Sequence, residues 1–509
     1  MRGLGAELGY AEFFRQIEAF CSGLIGLGLP RAGRVAVYLD KRFETVVACF
    51  GTACAGGAFV PVNPVLKPAQ VAYILRDCNV RVMVTSRVRL ASLRGELAAC
   101  PDLTHVVLID TGEVEPIAAD ALALHRWSEL LDAPARGGHR VIDTDMTAIL
   151  YTSGSTGRPK GVVLSHRNMV AGAKSVASYL ENRADDRIVA ALPLSFDAGF
   201  SQLTTAFHVG ASVSLLNYLL PRDVIDTIQK DKITGLTAVP PLYVQLAQLD
   251  WPAGVTDHLR YFANTGGRMP AVTLGELRKR LPRTKPFLMY GLTEAFRSTY
   301  LPPDQIDRRP DSIGKAIPNA EILVLREDGT QCGPGEPGEL VHRGALVGMG
   351  YWNDAEKTAE RYKPLPGREA GLMIPEIAVF SGDTVRADDE GYLYFIGRRD
   401  EMMKTSGYRV SPSEVEEMVY STQRVGECAA FGVPHPALGQ AIVLVVTDGA
   451  HEPVDTVALV ADLKDRMPTY MLPARIEVRP APLPRNANGK IDRKLLSVDF
   501  QRMFDREDA

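Results

Sequence analysis

The chain has 509 residues, of which 46% are hydrophobic and 23% charged, with a formal net charge of -4. That length exceeds what one hydrophobic core organises, so two or more domains are expected, and the near-balanced charge excludes a global electrostatic pull toward nucleic acid or an anionic membrane. The seven cysteines are odd in number and scattered without a C-x-x-C pair, which argues against a zinc or dithiol redox centre and for reduced thiols in a cytoplasmic protein.

The first twenty residues, MRGLGAELGYAEFFRQIEAF, mix acidic with apolar positions and lack the basic-then-apolar order of a signal peptide, so they read as an amphipathic helix. No window is long and apolar enough for a membrane span. From Arg34 to about Val84, β-branched runs (RVAVYL, RVMVTS) alternate with helical stretches (ETVVACFGTACAGGA, KPAQVAYILRDC). Strand-like runs recur at His105 to Asp110, Ile188 to Leu192, Ala211 to Leu216 and Gly235 to Val239. This alternation predicts a large layered α/β domain. From Glu321 the pattern changes to short strands between turn residues, predicting a β-rich subdomain that closes it. A further α/β pattern begins near Asp400, so the expected division is 1–399 and 400–509, the second a small α+β domain.

The stretch Ala148 to His166, AILYTSGSTGRPKGVVLSH, places an apolar strand before a loop of Thr152, Ser153, Gly154, Ser155, Thr156 and Gly157, with Lys160 and a second strand after it. Such a loop turns several backbone N–H groups and hydroxyls on one anion, and Lys160 adds a charge-assisted contact. It is not G-x-x-x-x-G-K-[ST], because Arg158 and Pro159 separate the last glycine from the lysine and Gly161 follows. On the residues alone, a Ser/Gly-rich surface turn remains the alternative.

YTSGSTGRPKGV resembles the phosphate-loop signature of the superfamily of acyl-CoA synthetases, peptide-synthetase adenylation domains and luciferases. The resemblance implies an AMP-forming ligase that activates a carboxylic acid with ATP and Mg²⁺ as an acyl-adenylate and passes it to a thiol. That thiol would belong to CoA or to the phosphopantetheine of an acyl carrier protein. It also implies a C-terminal domain that swings about a hinge. A light-emitting oxygenase and a non-catalytic nucleotide binder share the fold and are the alternatives.

The later motifs follow in the family's order. In LPLSFDAGFSQ, Phe196 and Asp197 resemble the pair that meets the substrate ammonium in amino-acid-activating domains; the local alternative is that Asp197 caps the next helix. NTGG, with Gly266 and Gly267, resembles the turn lying against adenine. In MYGLTEA, Tyr290 and Gly291 would contact adenine, Thr293 the α-phosphate, and Glu294 would hold Mg²⁺, which suits a single carboxylate. Arg297 falls near the acid pocket, where it would meet a polar group of the substrate or form a structural salt bridge. Asp383 in SGD is expected at the ribose hydroxyls or in an Asx-turn.

In GRRD the resemblance puts Arg398 on the ribose and phosphate side and makes Asp400 the hinge. KTSGYRVSP would face the thiol tunnel, with Gly407 leaving space for a pantetheine arm, unless it is a plain turn. In PRNANGKIDRK, Asn488-Gly489 presents Lys490, the family's catalytic lysine, whose ammonium would bridge carboxylate and α-phosphate. Acetylation of Lys490 would remove that charge and act as an off-switch. FDAGFSQLTTAF, LLNYLLPRDV and YGLTEAFRSTYLPP are similar to ligases found with bacterial exosortase A systems. The expected partners are therefore a small carboxylic acid and an acyl-carrying thiol, with no nucleic acid and no integral membrane segment.

Overall fold

The computed structural model describes all residues except 4, 111–121, 153–158, 268, 270, 368–370, 372, 399–402, 411, 423, 449–452, 481–482, 485–490, 492 and 505–509. The alternation read from Arg34 onward folds as strand Arg34–Tyr38, helix Phe43–Cys54, strand Ala58–Pro61, helix Pro68–Asp77 and strand Val80–Thr85. These strands lie inside a 7-stranded sheet that is parallel except for its last pair, Met146–Thr152 with Lys160–Ser165. Their near-continuous apolar content, mostly Val with Ala, Phe and Met, fits strands covered on both faces.

A second, 14-stranded sheet has a parallel centre in the order Ser212–Leu215, Arg187–Ala190, Gly235–Ala238, Tyr261–Asn264, Lys285–Tyr290. Antiparallel strands extend it through Thr299–Leu301 and Ser312–Ala316 to Leu393–Arg398, Ile377–Ala387, Gly338–Gly344 and Ala320–Leu325. The β-rich segment after Glu321 thus continues the edge of the large sheet. At the opposite edge the N-terminal segment departs from the expected helix. Arg2–Gly3 and Ala6–Glu7 form a small hairpin paired to Ser214, and the helix begins only at Tyr10 (Tyr10–Gly26). The glycines at positions 3, 5 and 9 favour this hairpin over helix.

One apolar cluster joins the two large sheets through the helices Tyr10–Gly26, Phe43–Cys54, His166–Tyr179 and Asp197–His208. The smaller C-terminal domain holds a 5-stranded sheet in which Cys428–His435 and Gly439–Val446 form the long antiparallel pair. Helices Pro412–Ser421 and Thr456–Arg466 cover one face, and Leu496, Phe500 and Phe504 cover the other. No helix among the described residues is long and apolar enough to cross a membrane.

Candidate functional site

The strands flanking the phosphate loop form a hairpin, with Thr152 directly opposite Lys160. Residues Ser153 to Gly157 themselves lie outside the described residues, but the chain around them is fixed by several ties. Tyr151 donates to Asp77 Oδ2 at 2.5 Å, and Tyr73 donates to the Pro159 carbonyl at 3.2 Å. Trp352 Nε1 and Asn353 Nδ2 both donate to the Asp77 carbonyl. At the far end of the return strand Ser165 and Asn168 make a capping box, and Asn168 Nδ2 donates onward to the carbonyls of Ala345 and Val347. Lys160 projects over the Tyr351 ring, its Nζ 5.3 Å from the centroid. Burial lowers its pKa, and the neighbouring Lys357 lowers it further.

Glu294 lies on a short 3-10 turn, Thr293–Ala295, just past the strand Lys285–Tyr290. Its Oε1 accepts a 2.6 Å hydrogen bond from Tyr351, whose phenol is kept protonated by burial and by the adjacent carboxylate. Its Oε2 is buried with no hydrogen-bond partner among the described residues. A buried carboxylate oxygen left bare is costly unless a cation meets it, so this position fits a hard dication such as Mg²⁺. Tyr290, in the same motif, donates to Asp383 Oδ2 at 2.5 Å, and both are buried. Asp383 also pairs across the sheet with Arg398, whose side chain is outside the described set. Next along the sheet, Asn264 Nδ2 closes its turn on the Gly267 carbonyl at 2.8 Å, and Gly266 adopts φ +77°.

Asp197 is the first residue of the helix Asp197–His208, while Phe196 occupies the capping position and makes no side-chain cap bond. The capping alternative for Asp197 is therefore corrected: its carboxylate turns away from the helix amides. Arg297 Nη1 donates to Asp197 Oδ2 at 2.6 Å, and Thr293 Oγ1 donates to Oδ1 at 3.3 Å. Arg297 is only 2% exposed, and its Nε has no partner among the described residues. What aims Arg297 inward is a γ-turn at Phe296, with φ 58° and ψ -52°, closed by Arg297 N–H on the Ala295 carbonyl. This backbone is strained, as is common where a side chain must be held in a site.

A cavity of about 520 Å³ opens beyond the carboxyl ends of the parallel strands, where ligands bind in open α/β sheets. It brings together Thr152, Asp197, Gly266, Gly291, Thr293, Arg297 and Gly407. Lys160, Gly267, Tyr290, Glu294 and Asp383 stand outside that lining. Gly407, at φ +80°, touches the large domain so closely that an added Cβ would lie 2.8 Å from Val239 Cβ. Lys490 and Asp400 lie outside the described residues. The sequence reading missed Tyr351, which no local motif marks and which reaches Glu294 through tertiary ties of its own segment, the backbone bridge to Val162 and the bond from Gly348 N–H to the Glu294 carbonyl among them. It also missed Lys41 and Asn217 on the cavity wall.

The chain matches the AMP-binding enzyme family over residues 2–352 and the AMP-binding enzyme C-terminal domain over residues 414–490. An L-proline–[L-prolyl-carrier protein] ligase of Pseudomonas fluorescens is 30% identical, covering 96% of this chain and 94% of that protein. An indoleacetate–CoA ligase of Aromatoleum aromaticum is 29% identical, covering 95% and 92%. A linear gramicidin synthase of Brevibacillus parabrevis is 29% identical over 96% of this chain, which spans only 6% of that relative's length. Among solved structures, an o-succinylbenzoate CoA synthetase from Bacillus subtilis shares the fold with a TM-score of 0.81 at 24% identity, covering 97% of this chain and 94% of that one.

Proposed function

Because the chain belongs to the AMP-binding enzyme family, we propose that it is an AMP-forming acid–thiol ligase, activating a carboxylic acid with ATP and transferring the acyl group to CoA. The observation that carries this reading is the single cavity shared by Thr152 and Thr293 on the phosphate side, Asp197 and Arg297 on the acid side, and Gly407 on the thiol side.

A carboxylate is a poor acyl donor because oxide is a poor leaving group, and joining it to the α-phosphate makes AMP the leaving group instead. Holding both reactants in line can supply up to roughly 7 to 11 kcal/mol of the barrier reduction. In this reading the phosphate loop and Lys160 hold the β- and γ-phosphates, and Thr293 orients the α-phosphate. Lys490 neutralises charge that builds at the pentacoordinate centre. Mg²⁺ held at Glu294 would supply charge neutralisation on the phosphates. Tyr290 and Asp383 receive adenosine, exchanging their mutual hydrogen bond for contacts to base and ribose. Asp400 serves as the hinge between a domain of residues 1–399 and one of residues 400–509, and Gly407 leaves room for the incoming thiol arm.

A second reading, an amino-acid ligase loading a carrier protein, is favoured by the Phe196-Asp197 pair and by the carrier-protein ligase among the relatives. Against it stands Arg297, which already neutralises Asp197. An ammonium would have to displace a buried guanidinium, and breaking such a pair is strongly destabilising.

Pyrophosphate release with ATP, Mg²⁺ and a panel of fatty, aryl, amino and dicarboxylic acids tests the reading, with CoA and a carrier protein as acceptors. Release with a non-amino acid, followed by thioester formation with CoA, is the expected outcome. Release with amino acids alone, lost in Asp197→Ala, would establish the second reading instead. No release with any acid would leave a nucleotide binder.

A further inference from the structure

The charged groups on the cavity wall are not equally satisfied. Asp197 is paired with Arg297, and Asp40 is held by Arg89 Nη2 at 2.8 Å. Lys41 differs. Its Nζ donates to the carbonyls of Ala191 at 2.7 Å and Leu192 at 3.4 Å, and no carboxylate among the described residues lies within salt-bridge distance of it. Two carbonyls fix two of the three ammonium hydrogens, and the third is left for the cavity that Lys41 lines. The side chain is held from both ends, because Lys41 N–H donates to Asn217 Oδ1 at 3.0 Å while Asn217 Nδ2 donates back to the Lys41 carbonyl at 2.8 Å. It is a buried amine with no carboxylate at ion-pair distance among the described residues, the charge of Asp40 offsetting only part of the cost of its burial. Burial pushes its pKa down to about 7, the signature of an ammonium that an anion would stabilise.

The sheet order says how far this cation stands from the chemistry. Thr293 follows the strand Lys285–Tyr290, and Ala191 follows Arg187–Ala190, with Tyr261–Asn264 and Gly235–Ala238 lying between them. Three strand spacings separate the two strand ends by roughly 14 Å. Between them lie Gly266 and Val239, the two residues that Gly407 approaches. The acceptor arm of CoA or of a carrier protein has the length of about four extended residues, roughly 14 Å from sulfur to phosphate. A thiol placed at the acyl carbon near Thr293 therefore puts its phosphate near Lys41.

We propose that Lys41 binds the phosphate of the acceptor's phosphopantetheine arm, so that the enzyme selects phosphorylated pantetheine thiols over the unphosphorylated one. This rests on the acid–thiol ligase reading above. The phosphate is common to CoA and to a loaded carrier protein, and both are tested.

The experiment compares KM for pantetheine, 4′-phosphopantetheine, CoA and a phosphopantetheinylated carrier protein in wild type, Lys41→Met and Lys41→Arg, alongside equilibrium binding of the first two thiols without ATP. A charge-assisted contact predicts that wild type prefers 4′-phosphopantetheine over pantetheine by roughly tenfold or more. That ratio falls to near 1 in Lys41→Met and is largely recovered in Lys41→Arg. Because it is a ratio within one variant, a general loss of folded enzyme leaves it unchanged. The source of the phosphate is read from which of CoA and the carrier protein loses affinity in Lys41→Met. Equal losses for pantetheine and 4′-phosphopantetheine would overturn the proposal in favour of a purely structural tie to Ala191. If wild type releases pyrophosphate but acylates no thiol, the thiol step of the proposed function fails, and the binding comparison still decides the role of Lys41.

Discussion

The two oxygens of Glu294 have unlike surroundings, one bonded to Tyr351 and the other buried without a partner among the described residues. The tyrosine therefore orients the carboxylate while leaving an oxygen for a cation, the arrangement in which an outer hydrogen bond tunes metal affinity. Tyr351→Phe removes that orientation without removing a ligand. The Mg²⁺ concentration for half-maximal pyrophosphate release is expected to rise roughly tenfold, with a smaller change at saturating Mg²⁺. A magnesium titration with an unchanged midpoint would show that Tyr351 is only a packing residue. The sequence could nominate Glu294 from its motif, but Tyr351 sits 57 positions later and comes close only through tertiary pairing. Asp197 and Arg297 show the same limit. The structural salt bridge left open for Arg297 is the reading the structure bears out, but the sequence held no sign that its partner would be Asp197, 100 positions away.

At the scale of elements, the far end of the phosphate-loop hairpin is gripped by the helix and sheet edge beside it. Asn168 caps the helix His166–Tyr179 and donates two hydrogen bonds to the Ala345 and Val347 carbonyls, tying the hairpin to the β-rich edge of the other large sheet. Asn168→Ala removes the capping box and leaves two half-buried carbonyls short of a donor, for a loss of about 1 to 3 kcal/mol. Denaturant midpoints should report that loss, and KM for ATP should rise with it, since the loop's anchor is weakened. A drop in stability with no change for ATP would uncouple the two. Hydrophobic alternation made the parallel strands and their helices legible, because burial on both faces leaves a period in the sequence. It did not reveal the N-terminal hairpin, where glycines rather than periodicity decide, nor that the β-rich segment continues one sheet, since pairing partners leave no local pattern.

On the scale of the whole molecule, the two domains meet where Ser406, Gly407 and Tyr408 complete the cavity wall begun by Val239, Gly266 and Phe196. Phe196 and Tyr408 pack edge to face with centroids 5.3 Å apart, and Tyr408 stacks on Tyr470 at 3.6 Å, so the contact is backed by a second ring on the small-domain side. Gly407 is what allows the close approach: its φ of +80° disfavours any side chain, and an added Cβ would sit 2.8 Å from Val239. In Gly407→Leu the small domain cannot seat this loop against the large domain. The nearest atoms an added Cβ at Gly407 would meet all belong to Val239 and not to Thr152, Thr293 or Glu294, and Lys490 would serve adenylation from the other setting of the proposed hinge. Pyrophosphate release should therefore persist in this variant while thioester formation falls by roughly a hundredfold, the loss of about 2.7 kcal/mol at the second step. Parallel assays of the two half-reactions read this directly. Equal losses in both would mean that the loop serves adenylation too, and equal retention would place the thiol's path elsewhere than past Gly407.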